Sequence, residues 1–372
     1  MCSRFKSMQV HVSDNSTVAD HCKALALRDP KDNDYNVNCD HQHNDKCDRC
    51  DEITSTIDEI EIALQEQWKA RNIEEAAKEE VEFSIRNSRE HINAWKSHLI
   101  RWVIEDQTRV DLLENLDRSS VFLVQDWAMK YLPTKYRESP QDWIAKRGIS
   151  WHITVAIRRG EDQDFEIMTF VHILESCNQD YCAIIAIMSD VIKQLKKAMP
   201  QLTTVFYRQD NACCYHNGPT IISAKKLCQN EGVCIQRLDF CDPQGGKGCC
   251  DRKAATIKSH MRLHLNAGND VATGDETMKA IKSSGGVPGV AVKLSELAAG
   301  QQSELSALKL AGISLLFNFC YEEDGLWSWK AYKLGPSKLF PWGELTNPSG
   351  IDLPFLHPPM FRQKKIKSRS QP

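Results

Sequence analysis

Residues 120–132, SVFLVQDWAMKYL, decide how the chain is read. The run VFLV is the apolar core of a buried strand, and the strand carries a single acid, Asp126, near its end. A carboxylate flanked by Val124 and Trp127 is costly to bury unless something pairs with it. Asp126 is therefore a candidate metal ligand; the plain alternative is a satisfied polar residue closing a strand.

Two later stretches repeat the arrangement. Residues 203–211, TTVFYRQDN, form a second strand that ends on Asp210, although Asp-Asn also suits a turn or a helix cap. Residues 242–261, DPQGGKGCCDRKAATIKSHM, enter a helix with Asp251, where an acid also caps free N–H groups and suits the helix dipole. Asp242 is the nearest competitor for the third place. No Glu occurs between Glu231 and Glu276, so a glutamate cannot take it.

The intervening sequence supplies a definite order of elements. Residues 148–159, GISWHITVAIRR, and 164–176, DFEIMTFVHILES, read as strands that continue the first into an antiparallel meander. Residues 182–199 are an amphipathic helix stopped by Pro200, and 218–230 are a second short helix or an irregular crossover. Residues 233–240, VCIQRLDF, make a fifth strand, and the last helix runs to about Gly268. The order is βββαβαβα, an α/β chain with a mixed five-stranded sheet flanked by helices.

That order, with carboxylates on the first and fourth strands and the final helix, resembles the ribonuclease H-like fold of the three-carboxylate (DDE/DDD) transposase and integrase superfamily. The resemblance covers about residues 120–265. Its wording here is DWA at Asp126–Ala128, RQDNA at Arg208–Ala212, GKGCCD at Gly246–Asp251 and TIK at Thr256–Lys258. The combination is similar to uncharacterised transposase-like proteins of animal genomes, some with a Cys/His cluster upstream. It implies a catalytic set of Asp126, Asp210 and Asp251 holding Mg²⁺ or Mn²⁺. Two such ions about 3.5–4 Å apart activate the attacking oxygen and stabilise the leaving one. Hard cations of this kind accept carboxylate oxygens and keep some waters, so three acids suffice. A proofreading-type exonuclease fits less well, because its Asp-x-Glu pair is missing: Trp127 and Ala128 follow Asp126.

Nucleic acid, DNA first, is the expected partner, held by Lys247 in the glycine loop (Gly245, Gly246, Gly248) and by Lys253, Lys258 and Arg262 on the last helix, with His260 and His264 nearby. A flexible loop and a solvated basic face are the competing readings. His216 and Asn217 are candidates to support Asp210 from behind.

Upstream, residues 39–50, CDHQHNDKCDRC, offer Cys39, His41, His43, Cys47 and Cys50, with Cys22 as a further donor. Cys47-x-x-Cys50 has the spacing of a knuckle around one tetrahedral Zn²⁺, and a segment with so little apolar content needs such a staple. Chance coincidence in a polar loop is the alternative. Residues 53–116 contain no Gly or Pro and read as a long helical arm, packed or dimerising. Past Gly268 come a short helix, a Gly-rich turn into a strand, and an aromatic hairpin around EEDG, with Trp327, Trp329, Tyr332 and Trp342 either core or base-stacking.

The expected layout is a zinc module (1–52), a helical arm (53–118), a ribonuclease H-like catalytic domain (119–268), a C-terminal α+β extension (269–358) and a basic tail (359–372). A net charge of −3 in 372 residues excludes a globally basic binder, so any nucleic-acid affinity is local. Fifteen cysteines, several adjacent, suit reduced thiols and a metal better than a secreted disulfide framework. No stretch is long and apolar enough for a membrane span or signal peptide, so a nuclear or cytoplasmic protein is expected. Two function classes remain: a transposase-derived metal-dependent nuclease or polynucleotidyl transferase, and a catalytically silent, domesticated descendant acting as a zinc-dependent nucleic-acid or protein binding module.

Overall fold

The computed structural model describes residues 16–26, 39–71, 73–144, 146–241, 248–298, 302–333, 335–345 and 350–359. Its main elements begin with α1 (Asp48–Ala70), α2 (Glu75–Glu114), β1 (Ser120–Trp127), β2 (Ser150–Arg159), β3 (Phe165–Leu174) and α3 (Tyr181–Ala198). They continue with β4 (Thr204–Asp210), α4 (Gly218–Gln229), β5 (Cys234–Cys241), α5 (Cys249–Asn266), α6 (Gly274–Lys282) and β6 (Val290–Leu294). The short strands β7 (Glu296–Leu297), β8 (Asn318–Tyr321), β9 (Gly325–Trp329), β10 (Lys338–Pro341) and β11 (Leu356–His357) complete the set. No described helix is long and apolar enough to cross a membrane.

The chain forms two compact units. The larger comprises Leu116–Phe240, Gly246–Ile313 and Pro341–Pro372. It is a mixed α/β unit whose sheet runs β5-β4-β1-β2-β3-β6. β1, β2 and β3 are the antiparallel meander anticipated from their sequences, and β1 pairs in parallel with β4. β1 is thereby central, which is why VFLV is apolar on both sides: Val121, Phe122 and Leu123 are all buried.

A buried chain of side chains crosses the three middle strands. The Gln125 amide donates to the Thr154 hydroxyl at 3.1 Å, and the Gln209 amide donates to the Gln125 side-chain oxygen at 2.8 Å. Shifting β1 or β4 by one residue would bury these groups unpaired, so the chain pins the register.

Helices cover both faces. α5 and α6 pack on the face bearing Ile153, Val155, Val171 and Ile173, through Ala254, Ile257, Met261 and Ile281. α3 lies on the other: His172 Nε2 donates to Asp190 of α3 at 2.8 Å, and Gln209 reaches Met188 at 3.5 Å. α3 is buried all round over Cys182–Met188 and amphipathic beyond, and it begins where Asp180 accepts from the Ala183 amide. The crossover after β4 resolves into a true helix, α4, because Asn217 caps it by accepting from the Thr220 amide at 2.8 Å and Pro219 sits in the first turn. Asn217 is therefore a cap rather than a support for Asp210.

The strand expected in a separate C-terminal extension belongs to this sheet. β6 pairs in parallel with β3, from Thr169 against Val290 to Ile173 against Leu294, so the sheet of this unit has six strands where the sequence had suggested five. The reason is an edge: without β6, the outer side of β3 would present a row of unpaired backbone groups. α6 leads into it with a Thr273/Glu276 capping box.

The smaller unit comprises Met1–Asn115, Cys241–Gly245 and Ser314–Phe340. α1 and α2 meet through Ile53, Leu99 and Cys50, with Ile57, Ile92 and Trp95 around them, and Arg89 of α2 bridges Asp58 and Glu61 of α1 at 2.6 and 2.7 Å. β8 and β9 form the expected antiparallel hairpin. Trp327 and Trp329 stack on each other at 6.4 Å, and Trp329 meets Tyr332 edge-on at 5.7 Å.

Candidate acidic and Cys/His metal centres

The parallel register of β1 and β4 sets the first pair of acids. Val124 lies opposite Arg208 and Gln125 opposite Gln209, so Asp126 comes level with Asp210 at the ends of two neighbouring strands. Parallel neighbours in register share a face and stand about 4.8 Å apart. The shared face is the one covered by α5, since Val124 and Ala128, two residues either side of Asp126, pack into the α5 core.

The third acid arrives from α5. Cys250 fastens the first turn of that helix across the sheet, its thiol 3.4 Å from the carbonyl of Val124 and 3.9 Å from that of Ile153. Asp251 is the next residue and is exposed in the first turn. It does not cap the helix: the N-cap is Gly248, and no side chain fills that role.

Asp126 feels the charges of the other two acids. The Asp126 carboxyl is pushed up to about 7, first by burial and then by the charges of Asp210 and Asp251; the Trp127 backbone amide opposes this only in part. Tyr215 is fully buried alongside, and its hydroxyl is raised well above its ordinary range by burial and by Asp126. The Cys214 thiol is pushed up to about 12, chiefly by burial. Like charges gathered on a partly buried spot are unfavourable by themselves and favourable around a divalent cation. Their oxygens do not all lie within 4.8 Å of one another, a spacing that two Cys/His groups do meet among the described residues. One compact four-ligand shell is thus not formed by these acids. Two ions about 3.5–4 Å apart, each bonded at about 2.0–2.1 Å, span carboxylates set farther apart.

Residues beside Asp126 that the sequence did not single out are Tyr215 and Cys250, both of which feel its charge; His152 pairs with Trp127 on the opposite face of the sheet. Trp127 meets His152 edge-on at 5.0 Å, and His152 lies 6.1 Å from the Tyr215 ring. His152 is fully buried, and burial drives its imidazole well below its usual range, so it stays neutral. His216 touches Asn211 at 2.5 Å and stacks on Phe240 at 4.4 Å, while the Asn211 amide donates to Asp210 at 2.8 Å. His216 thereby backs the turn that presents Asp210.

The basic residues of α5 do not make one face. At about 100° per residue, Lys253 and Arg262 point to opposite sides of the helix, and only Lys258 and Arg262 lie close in angle. Lys258 is half-buried with its ammonium 5.7 Å from the Trp151 ring, and His260 Nε2 lies 3.0 Å from the Ser283 carbonyl. Lys247, with Gly245, Gly246 and Asp242, falls outside the described residues, as does the basic stretch 361–372.

In the smaller unit the five expected zinc ligands are not gathered at one point. Cys39, His41 and His43 cluster with Cys22, and Cys47 and Cys50 cluster with His21. Within the first group the Cys22 and Cys39 sulfurs are 3.6 Å apart; within the second, His21 Nε2 lies 3.1 Å from the Cys50 sulfur. Cys47 and Cys50 cannot join the first group because they start α1, where Cys50 is buried against Ile53 and Leu99. His21 is the candidate donor missed in the sequence; its signal was the adjacent His-Cys pair at 21 and 22.

Residues 108–305, more than half of the chain, match the family described as a domain of unknown function (DUF8701). No curated protein matches the chain in sequence. Among solved structures, the human cytomegalovirus terminase nuclease domain, Mn soaked and inhibitor bound, is 9% identical at a TM-score of 0.22, over 49% of this chain and 70% of that one. The Mos1 mariner paired end complex with Mn is 10% identical at 0.23, and a pre-cleavage Mos1 transpososome 8% identical at 0.22. In both cases 48% of this chain is covered, and it spans 56% of the Mos1 chain. At such overlap nothing about the chemistry of this chain follows from them.

Proposed function

We propose that this chain, which belongs to the DUF8701 family, is a metal-dependent nuclease or polynucleotidyl transferase of ribonuclease H-like fold that acts on DNA through Asp126, Asp210 and Asp251. The observation that carries the reading is the side-by-side placement of Asp126 and Asp210 on the face that α5 covers, with Asp251 close enough to help push the Asp126 carboxyl to about 7. The strand order β3-β2-β1-β4-β5, with an antiparallel meander and β1 parallel to β4, supports the fold assignment.

The three acids fit Mg²⁺ or Mn²⁺: hard oxygen donors of like charge, Asp126 among them largely buried, and, among the described residues, offset by no basic group acting on Asp126. When bound, such ions supply Lewis-acid stabilisation of a phosphoryl group and activation of the attacking oxygen. The protein's part is placement. β1 and β4 hold two carboxylates in register, Cys250 anchors the turn that carries the third, and the Asn211 amide orients Asp210. Lys258 and Arg262, close in angle on α5, would be the pair to meet a phosphate backbone. The Cys/His groups of the smaller unit hold zinc as structural staples.

The test is nicking of supercoiled DNA by the full chain with Mn²⁺ or Mg²⁺. Activity is expected in the unmodified protein and lost in Asp126→Ala and Asp210→Ala with folding retained. The catalytically silent binding module is the second reading, favoured by Cys/His groups that are compact while the acids stand farther apart. Equal DNA binding by all three proteins with no cleavage by any would establish it.

A further inference from the structure

We infer that the Cys/His segment binds two zinc ions: one held by Cys22, Cys39, His41 and His43, the other by His21, Cys47 and Cys50. The inference concerns the smaller unit alone and stands whether or not the acids of the larger unit are catalytic.

Valence comes first. A structural zinc takes four ligands, and seven donors are present in two separate groups, each with its ligand atoms within 4.8 Å of one another. Zn–S and Zn–N bonds of about 2.3 and 2.0 Å in a tetrahedron put neighbouring ligand atoms about 3.5–3.8 Å apart. The Cys22–Cys39 sulfur separation of 3.6 Å is that edge, and it is far too long for a disulfide of about 2.05 Å. In the second group the His21–Cys50 contact of 3.1 Å is slightly tighter than the same edge. His43 Nε2 is buried without a hydrogen-bond partner and belongs to the first group, as a metal-directed nitrogen would.

Charge is consistent as well. Two thiolates neutralise one Zn²⁺, and each group contains two cysteines, so neither shell leaves net charge in a segment where Cys22 and Cys50 are buried.

The ligand order along the chain nests one site inside the other. His21 and Cys22 are adjacent, one closing the short 3-10 turn Ala19–His21 and the other in extended backbone after it, and their side chains serve different groups. The Cys₂His₂ site closes the segment from 22 to 43. The His21–Cys47–Cys50 site clamps the two ends of that segment to the first turn of α1, where Cys47 is the N-cap. Lys96 of α2 meets Asp20 at 3.3 Å and the Cys50 carbonyl at 3.4 Å beside it. The inner ion shapes the segment, and the outer ion fastens it to the helical pair. With three protein ligands the outer ion keeps a position for water or a further donor, and it is the weaker site.

Native mass spectrometry with metal analysis of the full chain, purified without added metal, reads the count directly. Two zinc ions per chain are expected, falling to one in Cys39→Ser and to one in Cys50→Ser, and to none in the double variant. Cobalt titration of the stripped, unmodified protein checks this without relying on variants that could misfold. Thiolate-to-cobalt absorption should rise over two equivalents, with the second ion adding about as much as the first because each site holds two thiolates. An endpoint at one equivalent, no zinc, or a single variant that keeps both ions overturns the inference. DNA cleavage plays no part in the readout, so failure here leaves the aspartate reading untouched.

Discussion

Asp126 and Asp210 stand side by side on neighbouring parallel strands, held level because Gln125 is paired with Gln209 one residue earlier. Eighty-odd residues of meander and crossover separate them in sequence. The register brings them together, and the buried Gln209–Gln125–Thr154 chain keeps the register.

That relationship predicts a penalty for Gln125→Leu out of proportion to its lack of contact with any metal. The change strips Gln209 and Thr154 of a buried partner and should cost about 1–3 kcal/mol in chemical denaturation. Mn²⁺ affinity should fall with it. Unchanged stability would show that the chain of amides does not hold the strands.

Asp126→Asn should abolish Mn²⁺-dependent nicking yet stabilise the metal-free protein. The amide keeps the shape and removes a carboxylate whose ionisation is opposed by burial and by two acids. The gain at pH 8, above the folded pKa, is on the order of 2 kcal/mol after allowing for partial solvent access. Thermal melts of the two proteins in chelator measure it, and a destabilised variant contradicts the account of the site.

The same shift sets a pH dependence. Asp126 titrates at about 7 in the folded protein against 3.8 for an ordinary Asp, so between these values the native state binds more protons than the unfolded one. Unfolding free energy from this group therefore falls as pH rises from about 4 to 7, and levels off above. Melts across that window, with Asp126→Asn subtracted as the reference, should show the slope, and saturating Mn²⁺ should flatten it. A difference curve that rises with pH would mean that Asp126 is paired with a cation.

Mn²⁺ itself should stabilise the unmodified protein in a saturable manner, by about 2.7 kcal/mol at a free concentration 100 times its Kd. Asp210→Ala should remove most of that gain while leaving the zinc content unchanged. Loss of the gain together with loss of zinc would point to unfolding instead.

DNA affinity should respond unequally along α5. Arg262→Ala and Lys258→Ala should each lower the slope of log affinity against log salt by about 1, and Lys253→Ala, on the opposite side of the helix from Arg262, should leave it unchanged. Filter binding at several salt concentrations distinguishes the three.

Much of the sheet was legible because its signals are local. VFLV is a buried strand wherever it sits, Pro200 ends a helix, and the aromatic runs around EEDG pair as a hairpin. Asn217 was less legible: a polar residue after an aspartate looked like a helper of the site, and only the backbone turn showed it capping α4. The basic residues of α5 were read as a set from composition, whereas helix geometry spreads them around the axis. β6 was visible as a strand but not as part of this sheet, because what recruits it is the open edge of β3 far upstream.

By itself the sequence determined which residues are candidates for chemistry: acids at the ends of apolar strands, and sulfur and imidazole donors in a segment too polar to fold on apolar burial alone. Both follow from the cost of burying such groups without partners, a cost each residue carries wherever the chain places it. Only the tertiary structure decided which of them meet. Register set Asp126 beside Asp210, the thiol of Cys250 on the sheet set Asp251 within electrostatic reach of Asp126, and the turn at His21 and Cys22 divided the Cys/His donors into two groups. Those pairings depend on contacts between distant segments, which no local pattern encodes.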